Sequence, residues 1–175
     1  MATVKIVIIG PESTGKTTLT QQLAAHFKAP YVPEYARTYL EQKPQAGYEL
    51  ADLEAIATQQ LALMEVALQN QPQILFCDTD LVTLHIWALD KFDRPLKQVE
   101  EALLMHKADL YLLCVPDIDW QSDPLREDAN RRDELFSWNA WVLESLGANY
   151  FMVEGAGEKR LQNAINHVLH FLENK

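Results

Sequence analysis

The stretch Val4-Lys5-Ile6-Val7-Ile8-Ile9-Gly10-Pro11-Glu12-Ser13-Thr14-Gly15-Lys16-Thr17-Thr18-Leu19 decides the fold. Its first six residues are largely β-branched, the pattern of a strand buried on both faces of a parallel sheet. Gly10 to Thr17 fits G-x-x-x-x-G-K-[ST] at every fixed position. Leu19, Leu23 and Phe27 then recur at intervals of four, the stripe of an amphipathic helix that Ala29-Pro30 stops. The order is therefore strand, glycine-rich turn, helix.

That context makes the turn a phosphate cradle, a P-loop. Backbone N–H groups must wrap a phosphate, so glycine is required where a side chain would collide or φ must be positive. The helix N-terminus adds unpaired N–H donors and a partial positive charge. Lys16 brings a full charge to the β- and γ-phosphates of ATP, and the Thr17 hydroxyl suits Mg²⁺. Gly10, Glu12, Ser13, Thr14, Gly15 and Thr18 complete the nucleotide-binding set.

Outward from this motif, strands and helices alternate. Tyr31-Val32-Pro33 is a short extended piece restricted by its proline to an edge or a strand end. Leu50, Leu53, Ile56, Ala57, Leu61, Met64 and Leu68 step by three and four, so Glu49 to about Asn70 reads as a long helix. Ile74 to Cys77, Leu110 to Val115 and Tyr150 to Val153 are further strands, separated by helical spacing through Leu84 and Leu89, a helix ending near His106, and the Leu135 to Leu146 stripe. Leu161, Ile165, Val168 and Leu172 mark a terminal helix. The reading is an α/β, P-loop NTPase fold. It has one domain over residues 1–175 and a parallel sheet of about five strands flanked by helices. Ligands in such sheets bind at the carboxyl ends of the strands, where the polar clusters of this chain fall.

The 175 residues carry Lys+Arg 15 against Asp+Glu 25, a formal charge of −10, and 48% hydrophobic residues. That composition is of a globular protein, and its sign opposes non-specific binding to nucleic acid or membrane surfaces, both polyanions. No apolar run reaches the ~20 residues of a membrane helix. The N-terminus runs straight into a strand, unlike a signal peptide, so the expected location is the cytoplasm. Cys77 and Cys114 lie in apolar runs and read as buried small hydrophobes.

Four further clusters carry candidate chemistry. Asp78 ends a hydrophobic strand, the place of a Walker-B carboxylate that holds Mg²⁺; Asp78 and Asp80 also suit the cap of the helix that follows. Glu34, after the second strand, is a candidate to hold an acceptor hydroxyl and take its proton, against the alternative of a solvated first-turn glutamate, with Tyr35 and Arg37 beside it. The charged stretch from Asp117 to Asp133 reads as a short lid. Its Arg126, then Arg131, are candidates to neutralise the transferring phosphoryl group, against the alternative of a solvated charge run. Trp120, Trp87 or Tyr35 is a candidate stacking surface for a base, against the alternative of core packing, and Gly155, in Glu154 to Gly157, follows the last strand, a candidate place for adenine. The five histidines form no ligand or nucleophile constellation.

Taken together, the P-loop, Glu34-Tyr35-Ala36-Arg37, Asp78-Thr79-Asp80, and Trp120 followed by Asp123-Pro124-Leu125-Arg126 resemble the ribosylnicotinamide kinase domain family. That family domain is the C-terminal part of a bifunctional bacterial NAD-biosynthesis regulator. The motifs come in the family's order and span nearly the whole chain. The resemblance implies a nucleoside-kinase-like fold with a short lid and transfer of the ATP γ-phosphate to the 5′-hydroxyl of nicotinamide riboside. It implies Lys16, Glu34, Asp78 and Arg126 as catalytic residues, Thr17 and Asp78 as metal-holding, and Glu34, Tyr35, Arg37, Asp80 and Trp120 as substrate-binding. This sequence departs at Pro124, where relatives often have glycine, and it lacks the adenylyltransferase motif of the fused proteins; it is expected neither to make NAD from the mononucleotide nor to bind an operator. The competing readings are a nucleotide-dependent regulatory switch without a small acceptor, and a kinase of another nucleoside.

Overall fold

A computed structural model of the chain describes residues 2–43 and 47–175. The apolar run at the N-terminus forms β1 (Val4–Ile9), the central strand of a five-stranded sheet. It pairs in parallel with β3 (Ile74–Asp78) on one side and β4 (Leu110–Cys114) on the other. The edges are β2 (Tyr31–Val32) and β5 (Tyr150–Val153), giving the order β2-β3-β1-β4-β5, every pair parallel.

Alternation along β1 explains why both faces must be covered. Ile6 and Ile8 enter one core cluster, beneath α1 (Lys16–Phe27) and α7 (Gly157–Glu173). Val7 and Ile9 enter the other, shared with residues of α3 (Leu50–Gln69), α4 (Leu81–Phe92), α5 (Lys97–Met105) and α6 (Arg132–Ser145). All four side chains are fully buried, each contributing on the order of 1.5–3 kcal/mol of burial. Cys77 and Cys114 are also fully buried, and burial pushes their thiols up to about 12 and about 11, which leaves them unreactive at neutral pH.

From β1 the chain fills one side of the sheet with β2 and β3, then the other with β4 and β5. The carboxyl end of β1 is therefore the point where the chain's course diverges, the position of a ligand crevice in open α/β sheets. One helix was not anticipated. α2 (Tyr35–Glu41) buries only Ala36, so it has no apolar stripe to announce it. Residues 117–131 form neither helix nor strand, and α6 begins at Arg132, so the expected lid ends slightly earlier than Asp133. Among the described residues no helix is long and apolar enough to cross a membrane, and no cluster of three or more His, Cys, Asp or Glu could hold a metal by itself.

Candidate active site

Gly10 begins the loop under a close-packing constraint. Its φ is +139°, and a Cβ there would lie 2.8 Å from the Cys114 carbonyl oxygen on β4. Gly15, at φ +77°, is the N-cap of α1; no side chain caps this helix and its first turn has no acidic residue. The helix thus keeps its N-terminal N–H donors for an anion. The loop is braced on itself, since the Thr14 hydroxyl and the Lys16 ammonium each donate to the Pro11 carbonyl at 2.8 Å.

Opposite the loop stands Asp78, the last residue of β3, paired in register with Ile8. The Thr17 hydroxyl donates to its Oδ2 at 2.6 Å, and its Oδ1 is buried without a partner. Burial holds this carboxyl above the usual carboxylate range, opposed by the Thr17 hydrogen bond and the Lys16 charge. A hydroxyl and a buried carboxylate with one orphaned oxygen, beside a phosphate cradle, form a hard-oxygen donor set that fits Mg²⁺.

The loop opens into one cleft of about 390 Å³; Asp78 is buried outside its lining and meets it through Thr17. The cleft is lined by the whole loop from Gly10 to Thr17 and by Thr18, with Glu34 and Arg37 from the α2 region and Arg126 from the polar stretch. Glu34 is the N-cap of α2 but makes no side-chain bond to that helix. Burial pushes its pKa up, and Lys16 pulls the other way. Arg37, one turn on, pairs with Asp123 of the polar stretch at 3.0 Å. The Glu12 Oε2 accepts from the backbone N–H groups of Glu127 and Asp128 at 2.9 and 3.2 Å, and Ser13 Oγ accepts from Gln121 N–H at 2.8 Å. The glycine-rich loop therefore also holds residues 121–128 at the cleft. Arg126 Nη1 donates to the Gln121 carbonyl at 2.6 Å.

Five expected site residues are placed elsewhere. Asp80 is buried; it caps α4 by accepting from Val82 N–H at 2.9 Å and accepts the Tyr111 hydroxyl at 2.9 Å, so its carboxylate is spent inside the core. Tyr35 packs on the core, with its N–H on Gln60 Oε1 at 2.8 Å, and does not line the cleft. Trp120 lies under the Arg132 guanidinium, 5.8 Å from its ring centre, outside the cleft. Arg131 is held by Asp90, Asp128 and Glu134 at 2.6–3.3 Å, which leaves its guanidinium no free edge for phosphate. Gly155 is also outside the lining; its N–H donates to Asp117 Oδ2 at 2.6 Å, and Gly157 lines the cleft instead.

Three contributors escaped the sequence reading. Tyr48 and Trp87 build an aromatic wall, rings 5.0 Å apart, with the indole N–H on the Tyr48 oxygen at 2.7 Å; only the tryptophan had been singled out. Burial pushes the Tyr48 phenol up to about 12, so it stays neutral. Arg132 donates to the Ile118 carbonyl at 2.8 Å and the Ser13 carbonyl at 3.3 Å. Arg160, from α7, is buried and donates to the carbonyls of Gly155, Thr14 and Val115 at 2.6–2.9 Å and to Asp117. No local pattern marks Arg160, because its partners come from three other parts of the chain.

Comparison with known proteins agrees with this architecture. Residues 5–160 match the family model described as AAA domain. The chain is 27% identical over 154 residues to the trifunctional NAD biosynthesis/regulator protein NadR of Escherichia coli (strain K12), an overlap of 85% of this chain and 38% of that protein. It spans well under half the length of that curated relative. The crystal structure of NadR protein in complex with NR superposes with a TM-score of 0.77 at 26% identity, covering 97% of this chain and 51% of that one. Thymidylate kinase from Ehrlichia chaffeensis shares the fold alone, with a TM-score of 0.71 at 14% identity over 98% of this chain and 100% of that one.

Proposed function

On the premise that this chain belongs to the AAA domain family, we propose that it is a nucleoside kinase that transfers the γ-phosphate of ATP to the 5′-hydroxyl of nicotinamide riboside. The observation that carries the reading is the joint presence, in one cleft, of the phosphate cradle around Lys16, a free-standing carboxylate at Glu34, and the Tyr48–Trp87 wall. The first is what a triphosphate needs, the second what an alcohol acceptor needs, and the third what a planar ring needs. The likeness to NadR, solved in complex with NR, supports the choice of acceptor.

The chemistry is positioning and charge neutralisation. Lys16 and the loop N–H groups bind the β- and γ-phosphates. Thr17 and Asp78 would hold Mg²⁺, which supplies neutralisation of the phosphate charge when bound. Glu34 orients the acceptor hydroxyl and takes its proton as the hydroxyl oxygen bonds to the γ-phosphorus and the bond from phosphorus to the β-phosphate oxygen breaks. ADP leaves with the electron pair of that bond. Arg126, carried by the segment that Glu12 holds, faces the same cleft and neutralises the group in flight. The test is a phosphorylation assay over a nucleoside panel that includes nicotinamide riboside. Product with that riboside supports the proposal; ATP hydrolysis indifferent to every nucleoside would replace it with a nucleotide switch.

A further inference from the structure

Among the described residues, four buried side-chain atoms lack a partner: Asp78 Oδ1, Thr83 Oγ1, His85 Nδ1 and Asn139 Oδ1. Buried polar atoms are nearly always paired, so each orphan calls for an explanation. The first has one in the metal that its site fits. Thr83 and Asn139 line the cleft itself, while His85 does not.

The two cleft residues are unlike their neighbours in how they use their polar atoms. The hydroxyls of Thr20 and Thr58 turn back to the carbonyl four residues earlier, at 2.9 Å, the usual satisfaction of a helical threonine. Thr83 on α4 makes no such bond. Asn139 on α6 is only 4% exposed, and its Nδ2 donates to the Leu135 carbonyl at 2.7 Å. That bond fixes the amide orientation and leaves Oδ1 as an unsatisfied acceptor. α4 and α6 pack on each other, and both residues line the cleft beside Ile86, Trp87 and Leu135, with both oxygens buried and unpartnered at that wall.

We propose that Thr83 and Asn139 are the subsite that reads the carboxamide of the acceptor, a refinement that rests on the kinase reading above. A primary carboxamide presents an NH₂ donor and a C=O acceptor side by side. Asn139 Oδ1 accepts from the first and the Thr83 hydroxyl donates to the second. A carboxylate in the same place offers no donor to Asn139 Oδ1 and sets two oxygens against it. The cation on this wall, Lys91, does not compensate, because Asp90, Glu127 and Asp128 already surround it at 3.0–3.5 Å. Thr83 and Asn139 are thus specificity-determining and take no part in the transfer.

The experiment compares kcat/KM for nicotinamide riboside, nicotinic acid riboside and the unsubstituted pyridine riboside in wild type, Thr83→Val and Asn139→Leu. The wild type is expected to favour nicotinamide over nicotinic acid riboside by about 100-fold or more. Each variant should lose about tenfold on nicotinamide riboside, with the unsubstituted riboside and the KM for ATP unchanged. Tm should hold or rise, because each variant removes a buried atom that the ligand-free protein leaves unpaired. Wild-type selectivity in both variants, or equal losses on all three ribosides, overturns the subsite while leaving the kinase reading intact. Activity on pyrimidine nucleosides with none on nicotinamide riboside overturns the acceptor assignment and the carboxamide reading together.

Discussion

The Thr17 hydroxyl stands 2.6 Å from Asp78 Oδ2 and joins the first turn of α1 to the last residue of β3, the two residues lying 61 positions apart in sequence. The other oxygen of that carboxylate has no protein partner. This pair is the place where a divalent cation can replace a proton-mediated contact. Asp78→Asn keeps the shape and the hydrogen bond to Thr17 but removes the charge. It is expected to lower kcat/KM by about 100-fold and to raise the Mg²⁺ concentration needed for half-maximal rate, without unfolding the protein. A magnesium titration of the variant checks this, and an unshifted midpoint would remove Asp78 from the metal site.

Glu34 links pH, rate and stability. Its pKa is raised in the folded state by burial, against the pull of Lys16. As the proton acceptor it must be ionised, so kcat/KM should fall as pH drops through that raised value, above the ~4.3 of a free glutamate. The stability sign follows from the same shift. A raised folded-state pKa gives a contribution present in full below the unfolded pKa and lost as pH rises through the folded one. Wherever the side chain is ionised, it therefore works against folding. Glu34→Gln should raise Tm at pH 7, show little gain near pH 4, and reduce phosphoryl transfer by about 10²–10⁴-fold. Calorimetry at the two pH values with a transfer assay tests both halves; a Tm gain of equal size at both would refute the link.

Glu12 ties the phosphate loop to residues 127–128 through two backbone N–H groups, while Arg37 ties α2 to Asp123. The second contact is an exposed pair of small worth, so of these two the first matters more. Glu12→Ala is expected to speed amide exchange at Glu127 and Asp128 by about tenfold, with exchange in β1 and β4 unchanged. Hydrogen exchange read residue by residue decides the matter, and unchanged protection at those two amides would mean that the Lys91 pairs and the Ser13–Gln121 contact hold the segment without Glu12.

How much of this site was legible beforehand depends on the range of the signal. The loop and its flanks are local patterns, so Gly10 to Thr18 and the five strands could be read directly. Asp78 was legible because it ends an apolar run. Asp80 misled for a physical reason. Strand alternation would put it on the same face as Asp78, but Thr79 takes φ +64° and turns the chain, so the second carboxylate enters the core as a cap. Tyr48 sits alone between the extended piece and the long helix, with no periodicity to mark it. Arg160 reads as one more charge on an amphipathic helix, since the carbonyls of Thr14 and Val115 that it serves are set by packing.

Arg160 carries its own prediction. Its planar fork reaches three carbonyls and a carboxylate at once, which an ammonium cannot do. Arg160→Lys would leave buried acceptors on both the phosphate loop and the β5–α7 turn unsatisfied. The expected loss is about 3 kcal/mol, a fall in Tm of roughly 6–12 °C, with a raised KM for ATP. Thermal unfolding and ATP saturation curves check it. A stable variant with wild-type ATP affinity would show that the loop holds its form without this brace.

The contrast between two glycines tests the cradle itself. Gly10 and Gly147 both have positive φ, at +139° and +55°. At Gly147 a Cβ meets nothing within 4 Å, so alanine there suffers only the left-handed penalty, about 1 kcal/mol. At Gly10 a Cβ would sit 2.8 Å from the Cys114 carbonyl oxygen, and that oxygen belongs to the neighbouring strand and cannot swing aside. Relief requires β1 and β4 to part at the point where the loop begins, which moves the N–H donors off the phosphate. Gly10→Ala should therefore cost about 3 kcal/mol or more and abolish the thermal stabilisation by ATP, whereas Gly147→Ala keeps the full ATP-induced shift from a slightly lower baseline. Thermal shift with and without ATP separates the two, and an intact ATP response in Gly10→Ala would mean that the phosphate is not held by this loop.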